Sequence, residues 1–588
     1  MRKSVYIAVV TVLAFAMGCD GGKSPEPYGA LPSPQQVEWQ KMEMNMFAHF
    51  GPNTFTGAEW GKGTESEDIF APTELDCGQW AEVAKETGFG GVIITAKHHD
   101  GFCLWPNPVS QHTVAQSSWR DGKGDILKEL SEACAEQGLK FGVYISPWDR
   151  NDPHYGSEEY NQVFCATIES ALSSYGPVFE QWFDGACGEG PNGKRQVYSW
   201  PSFHSAVFSN QPDAIIFSDV GPGCRWIGNE EGKAGETCWS TLDTTGFAPG
   251  KSPDVAVLNS GNMNGEAWVT GEADVSIRPG WFWKESENDK VKTVSQLLDI
   301  YYASVGRNAL FLLNVPPDTR GLIHENDVQR LHEFRSALDE IFGENLAEGA
   351  KAKASSKFGC KYPAANILDG DFDSYWAAKE GETTAEVVIE LDGEKTFNRV
   401  LLQEYIPLGQ RVAAFTVEAR DALGNWRRIS NATTIGYKRI LLTDKVTANA
   451  VKIIIEESLA EPLLNGFGLY LDEIMEEPEP VDEDRGVVMD AKEHYVLDLG
   501  DFVEANGFFY EPMTQGRNGV VITYNLEYST DGKKWKPVFE DKMFDNIVNN
   551  PIRQDVAFDA PVTARYLRLT PLRTSQEETY GVREMGAL

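Results

Sequence analysis

The residues of this chain best placed to do chemistry are carboxylates, imidazoles and indoles that follow short apolar runs. Asp184 stands in "EQWFDGACGEG", directly after bulky apolar residues and just before a glycine. Such an aspartate either caps a turn, as Asp before Gly usually does, or is the working group of a site, and the phrase alone favours the turn. The same position recurs along the chain. "MNMFAHF" brings His49, and the following "GPNTFTGAEWG" brings Glu59 and Trp60. "VIITAKHHD" ends in His98, His99 and Asp100, while "FGVYISPW" carries Tyr144 and Trp148. "AIIFSD" ends in Asp219, "RWIGNEEG" adds Glu230 and Glu231, and "RPGWFW" adds Trp281 and Trp283. Carboxylates can act as acid, base or nucleophile. His98 and Asp100, two apart on an extended strand, point the same way and can ligate a metal, but a closed site needs further ligands and no second metal-spaced cluster appears. Glu230 and Glu231 read equally well as solvated loop charges.

What argues for function is the element that would gather these residues. From about 35 to 345 apolar runs alternate with helical patterns. "CGQWAEVAKETGFGGVIITAKHH" gives a helix stopped by Gly88 and then a strand. "GDILKELSEACAEQGLKFGVYISPW" repeats the plan, with Asp125 as N-cap, Ile126, Leu127, Leu130 and Cys134 on one face, and Gly138 as stop. "VFEQWFD", "AIIFSD" and "ALFLLNV" add strands, and "ENDVQRLHEFRSALDEIF" a last helix. This is an α/β pattern of parallel strands with crossover helices, and its length fits a (β/α)8-like barrel, whose reactive groups stand at the carboxyl ends of the strands. A doubly wound open sheet is the alternative, but no nucleotide glycine fingerprint follows any strand.

The other segments follow from composition. Residues 1–19 read as a lipoprotein-type signal peptide ending at Cys19, and 20–34, "DGGKSPEPYGALPSP", as a linker. Residues 346–475 and 487–588 read as two all-β sandwich domains joined by an acidic linker, 476–486. They are related to each other: "AFTVEARDALGNWRRI" aligns with "YNLEYSTDGKKWKPV", and "NAVKIIIEES" with "ARYLRLTPLR". The 88 acidic against 52 basic side chains, a net charge of -36, exclude nucleic acid and anionic membrane surfaces as partners. Membrane contact is then expected only through an N-terminal lipid anchor, in an exported protein, a periplasmic or cell-surface lipoprotein of a bacterium.

The phrases "HFG", "EWG", "KHHDGFCLW", "GVYIS", "WFDGA" and "NALFLLNVPPDTRG", in this order, resemble the catalytic domain of the glycoside hydrolase family 29 α-L-fucosidases. "TFTGAEWG" and "RWIGNEEG" resemble that family's B subfamily, specific for α-1,3/1,4-linked fucose on Lewis-type glycans. The two sandwiches resemble discoidin, or coagulation-factor type C, carbohydrate-binding modules, with "ILDGDFDSYWAA" the most specific phrase of the first. The resemblance implies a retaining exo-enzyme acting on fucosylated oligosaccharides or glycoproteins. It places the nucleophile on Asp184 and the acid/base on Glu230, with Glu231, Glu236 and Glu272 as fallbacks, and leaves Glu189 without that role. His49, Glu59, Trp60, His98, His99, Tyr144 and Trp281 match the sugar-binding set. No cofactor is implied. A structural calcium in the first sandwich is conceivable, with Asp369, Asp371 and Glu473 as its ligands. Two other readings make different demands. A fucose-binding lectin on an inactive barrel has no need of a strand-end Asp plus a loop Glu, and a metal-dependent sugar hydrolase would lose activity to EDTA.

Overall fold

In the computed structural model the described residues are 23–474, 486–513 and 519–588; the signal peptide and nearly all of the acidic linker lie outside them. Eight parallel strands close into a barrel: β1 (Met44–Ala48), β2 (Gly91–Lys97), β3 (Lys140–Ile145), β4 (Val178–Trp182), β5 (Ile215–Ser218), β6 (Cys224–Trp226), β7 (Thr270–Ser276) and β8 (Leu310–Asn314). Each is paired with its sequence neighbours, and β8 returns to β1.

The helices start and stop where side chains satisfy their free ends. Asp125 Oδ1 accepts from Lys128 N at 3.1 Å to open Ile126–Gln137, and Gly138 closes it at φ 69°, a conformation open to glycine at no steric cost. The buried face of that helix includes Ile126, Leu127, Leu130 and Cys134. Burying each such aliphatic side chain contributes about 1.5–3 kcal/mol, so the amphipathic face rather than helix propensity fixes the layer. One crossover departs from the alternating pattern. Between β5 and β6 the chain has only residues 219–223 and no helix, so Gly223 lies directly against Ile216, where a Cβ would come within 2.6 Å of the backbone nitrogen.

Inside the barrel the strands alternate apolar rings with a few acids. Phe47, Ile93, Tyr144, Trp182, Ile215, Phe217, Leu310 and Leu312 form the interior cluster, with Trp182 stacked on Phe217 at 3.8 Å. Trp39 joins them from the helix Pro34–Met42 and donates to Glu180 Oε2 at 2.8 Å. The segment read as a free linker is packed before that helix begins. Tyr28 N donates to Leu408 O at 3.1 Å and Arg411 Nη2 to Glu26 O at 2.6 Å, which lays it along the first sandwich.

The sandwiches repeat one plan. Hairpin strands Val412–Arg420 and Trp426–Ala432 pair, and the first also pairs with Arg439–Ser458; Val521–Ser529, Lys536–Met543 and Gln554–Thr574 are arranged in the same way. The related sequence phrases therefore occupy equivalent strands. The first sandwich is fixed to the barrel through buried polar contacts: Tyr437 N donates to Asn308 Oδ1 at 2.7 Å and Cys238 N to Thr434 Oγ1 at 2.9 Å. No helix among the described residues is long and apolar enough to cross a membrane.

Candidate active site

One cavity of about 380 Å3 at the carboxyl ends of the strands is lined by Asp184, Glu230, His49, Glu59, Trp60, His98, His99, Tyr144 and Trp281. The nine residues expected to act as nucleophile, acid/base or sugar ligands are thus brought together, and Asp219 joins them, whereas Asp100, Trp148, Glu231 and Trp283 are not among the lining residues. A larger groove of about 860 Å3 lies at the other end, against the first residues of β3 and β4. That face of a barrel serves stability rather than chemistry.

Asp184 stands two residues past β4. Its Oδ1 accepts from Ala186 N at 2.7 Å and its Oδ2 from the Tyr144 hydroxyl, presented by β3, at 3.0 Å. Burial nevertheless dominates these donors and pushes its carboxyl up to about 6, with Asp219 adding in the same direction. His99 Nε2 lies 3.8 Å from Asp184 Oδ2, beyond hydrogen-bond reach, while its Nδ1 meets Ser146 Oγ at 2.8 Å. Burial drives His98 and His99 well below the ordinary imidazole range and His49 down to about 3. The three imidazoles are therefore neutral near pH 7, each able to donate from one nitrogen and accept at the other.

Glu230 arrives on the loop after β6. Trp281 Nε1 donates to its Oε2 at 2.6 Å, and Asn546 Nδ2, from the second sandwich, donates to Oε2 at 2.9 Å and to Oε1 at 3.2 Å. Burial raises Glu230 to about 7 against both donors, and the charges of Asp184 and Glu59 push the same way. Glu59 fixes the loop that carries Trp281: its Oε2 accepts from Trp281 N at 2.9 Å while its Oε1 pairs with Lys284 Nζ at 2.8 Å. Asn314, at the end of β8, links the two sides, accepting from His49 N at 3.2 Å and donating to Trp281 O at 2.8 Å. The rings of Trp60 and His99 meet edge to face, their centroids 5.7 Å apart.

The fallback acids lie elsewhere. Glu231 is exposed beside Lys233 at 3.2 Å, and Glu236 pairs with Arg307 and Arg439. Glu272 is buried inside the barrel, where Trp182 Nε1 donates to it at 3.1 Å. Glu189 is exposed and meets Trp148 through its backbone carbonyl, at 3.1 Å. Among the described residues the potential metal ligands that converge are Glu180, Cys224 and Glu272 on the barrel axis, not His98 with Asp100. Asp369 and Asp371 each accept a backbone N–H two residues on, and Glu473 pairs with Lys445 at 2.8 Å.

Several lining residues were not anticipated. Phe47, Trp182, Phe217, Trp226 and Asp274 face the cavity from within the strands, where an alternating polar or aromatic position in an apolar run was the available signal. Met543, Phe544, Asn546, Ile547, Val548 and Asn549 come from the second sandwich, and no sequence signal pointed to them.

Residues 27–340 match the Alpha-L-fucosidase family model, and 351–465 and 485–585 match the F5/8 type C domain model. Alpha-L-fucosidase 1 of Arabidopsis thaliana is 44% identical over 76% of this chain and 89% of its own length. A glycoside hydrolase 29 family member from a rumen bacterium is 36% identical, with a TM-score of 0.68 over 96% of this chain and all of that one. A Ruminococcus gnavus GH29 fucosidase solved in complex with fucose is 32% identical, with a TM-score of 0.70 over 77% of this chain and 97% of its own. The relative at 44% identity is a plant protein, and this overturns the sequence expectation of a periplasmic or cell-surface bacterial lipoprotein. With the barrel, both sandwich regions and the relatives agreeing, the chain belongs to the glycoside hydrolase family 29 α-L-fucosidases.

Proposed function

We propose that the protein is a retaining exo-α-L-fucosidase that releases terminal α-1,3/1,4-linked fucose from branched, Lewis-type glycans, with Asp184 as nucleophile and Glu230 as acid/base. The observation that carries this reading is the pair of carboxylates on one cavity, Asp184 held by a hydroxyl and a backbone N–H and Glu230 by the N–H groups of Trp281 and Asn546. Burial raises both, Asp184 to about 6 and Glu230 to about 7, so Glu230 keeps its proton to the higher pH.

In the first step an Asp184 oxygen forms a bond to C1 of fucose while the C1–O bond to the leaving sugar breaks and that oxygen takes the proton of Glu230. Water then attacks C1, gives its proton to the Glu230 carboxylate, and releases Asp184 with the starting configuration restored. The neutral His49, His98 and His99 suit the fucose hydroxyls, and the indole of Trp281 supplies an apolar wall for the C6 methyl. A pocket built to pair with hydroxyls rejects analogues that lack them, by factors on the order of 10^4.

The pH dependence follows from the two carboxyls. Asp184 must be ionised, which holds above about 6, and Glu230 protonated, which holds below about 7. A bell-shaped kcat/KM profile with its maximum between those values is expected; a flat profile from pH 5 to 8 contradicts the assignment. Glu230→Ala is expected to lose on the order of 10^2-fold more activity toward natural glycans than toward aryl fucosides with activated leaving groups, because only the former need a proton donor. Equal losses on both would move the acid/base role elsewhere. Linkage is tested by fucose release from a Lewis trisaccharide, an α-1,2-fucosylated disaccharide and an aryl fucoside.

A further inference from the structure

The cavity that holds Asp184 and Glu230 is not enclosed by the barrel alone. The loop that follows the strand Lys536–Met543 of the second sandwich forms part of its wall, together with Ile522 and Arg573. The loop is anchored from behind. Phe544 and Ile547 are buried in the sandwich core, with Phe544 stacked on Tyr524 at 4.2 Å and on Tyr510 at 5.0 Å. It is also tied to the barrel in front. Trp60 N donates to Asp545 Oδ2 at 3.3 Å, Asn550 Nδ2 donates to Pro279 O at 2.9 Å, and Asn546 holds Glu230. Asn546 sits at φ 47°, in the left-handed region that asparagine tolerates better than most residues, so a local conformational cost accompanies its placement against the carboxyl.

We propose that this loop is the binding wall for the sugar to which fucose is attached, and that Asn546 is a positioning residue for Glu230; both statements rest on Glu230 as the acid/base. An acid that protonates a glycosidic oxygen stands at the junction between the fucose and the leaving sugar. A segment that bonds to this acid from the outer side therefore borders the leaving sugar. The bonding pattern also selects the proton's place. Oε2 faces two N–H donors, from Trp281 and Asn546, so it is the acceptor oxygen, and Oε1, with the one longer contact, carries the proton toward the glycosidic oxygen.

The wall suits a neutral oligosaccharide. Met543 and Val548 are exposed apolar surface for a sugar face, and the exposed Asn549 and Arg573 offer amide and guanidinium groups for hydroxyls. An aryl leaving group has no hydroxyls for those groups to meet.

The test uses the full chain with Asn546→Ala and, separately, Arg573→Ala with Asn549→Ala. Each is assayed on an aryl fucoside and on whichever fucosylated oligosaccharide the unaltered protein hydrolyses fastest. The double variant is expected to lose at least about tenfold more kcat/KM on the oligosaccharide than on the aryl fucoside, chiefly through KM. Asn546→Ala is expected to lose kcat on the oligosaccharide by on the order of tenfold and to move the alkaline limb of the pH profile upward, since a donor that favours the Glu230 carboxylate is gone. Equal losses on both substrates with an unmoved alkaline limb would overturn the proposal and leave the loop a structural role. An unaltered protein that releases no fucose from any substrate overturns the fucosidase reading itself, and a Glu230→Ala control without leaving-group dependence overturns its acid/base assignment. Because the Arg573 and Asn549 side chains are exposed, the double variant remains informative if Asn546→Ala fails to fold.

Discussion

Asp184→Gly is expected to lower kcat/KM toward an aryl α-L-fucoside by on the order of 10^4-fold, the scale on which enzymes lose activity when a reacting side chain is removed. If Asp184 is the nucleophile proposed above, removing its carboxylate abolishes the attack on C1 but leaves the cavity, whose floor of Trp182, Phe217 and Tyr144 is built by packing within the barrel. The space vacated admits a small anion. Azide should then attack C1 from the side Asp184 used, restore turnover on a substrate with a good leaving group, and give a β-fucosyl azide. The product is identified by NMR. Hydrolysis at the native rate by Asp184→Gly would remove Asp184 from the mechanism, and an α-azide would argue against attack from its face.

The largest effect on stability is expected from Asp327→Ala. Arg278 is wholly buried and gives Nε to both oxygens of Asp327, at 3.1 and 2.8 Å, and Nη1 to Asn288 Oδ1 at 3.0 Å. Deleting the carboxylate leaves a buried guanidinium without its counter-charge, which costs about 3–5 kcal/mol. Asp327 lies in the first turn of the helix Glu325–Phe342, and Arg278 stands three residues before Trp281. The same change should therefore loosen the loop that carries the Glu230 donor, raising KM at temperatures where the barrel is still folded. Thermal or urea unfolding, followed separately for barrel and sandwich transitions because one chain holds several domains, checks the first effect. A barrel midpoint unmoved from that of the unaltered protein would show that the pair is solvated. Asp327→Leu with Arg278→Met should cost less than Asp327→Ala alone, because it removes both charges together.

The barrel was legible because its pattern is local. An apolar run, a capped amphipathic helix and a glycine stop recur from about residue 35 to 345, and polar groups that end a run must stand at one rim. His49, His98, His99 and Asp184 each lie within two residues of the end of β1, β2 or β4, and so could be named together. The packed segment 23–33 was misread as a tether because its Pro/Gly/Ser content describes its lack of helix, not its contacts with Leu408 and Arg411. "RPGWFW" offers two indoles, and only packing separates them: Trp281 faces the cavity, whereas Trp283 lies over His324 at 6.3 Å. Asn546 had no signal, since an asparagine in a loop of one domain is indistinguishable in sequence from any other turn residue. The missing helix between β5 and β6 escaped for the opposite reason: both strands are short, and "SDVGPGCRW" reads as a single loop.

The contact between Asn546 and Glu230 joins residues 316 positions apart. During synthesis the barrel emerges and folds first, with Asp184 and its Tyr144 partner already in place. The carboxyl of Glu230 gains its second N–H only when the last domain has been made and has docked. Under the roles proposed for the two carboxylates, translation order makes full catalytic competence a late event, and a chain cut short between the two sandwiches would hold Asp184 with its Tyr144 partner beside a Glu230 that lacks its Asn546 donor.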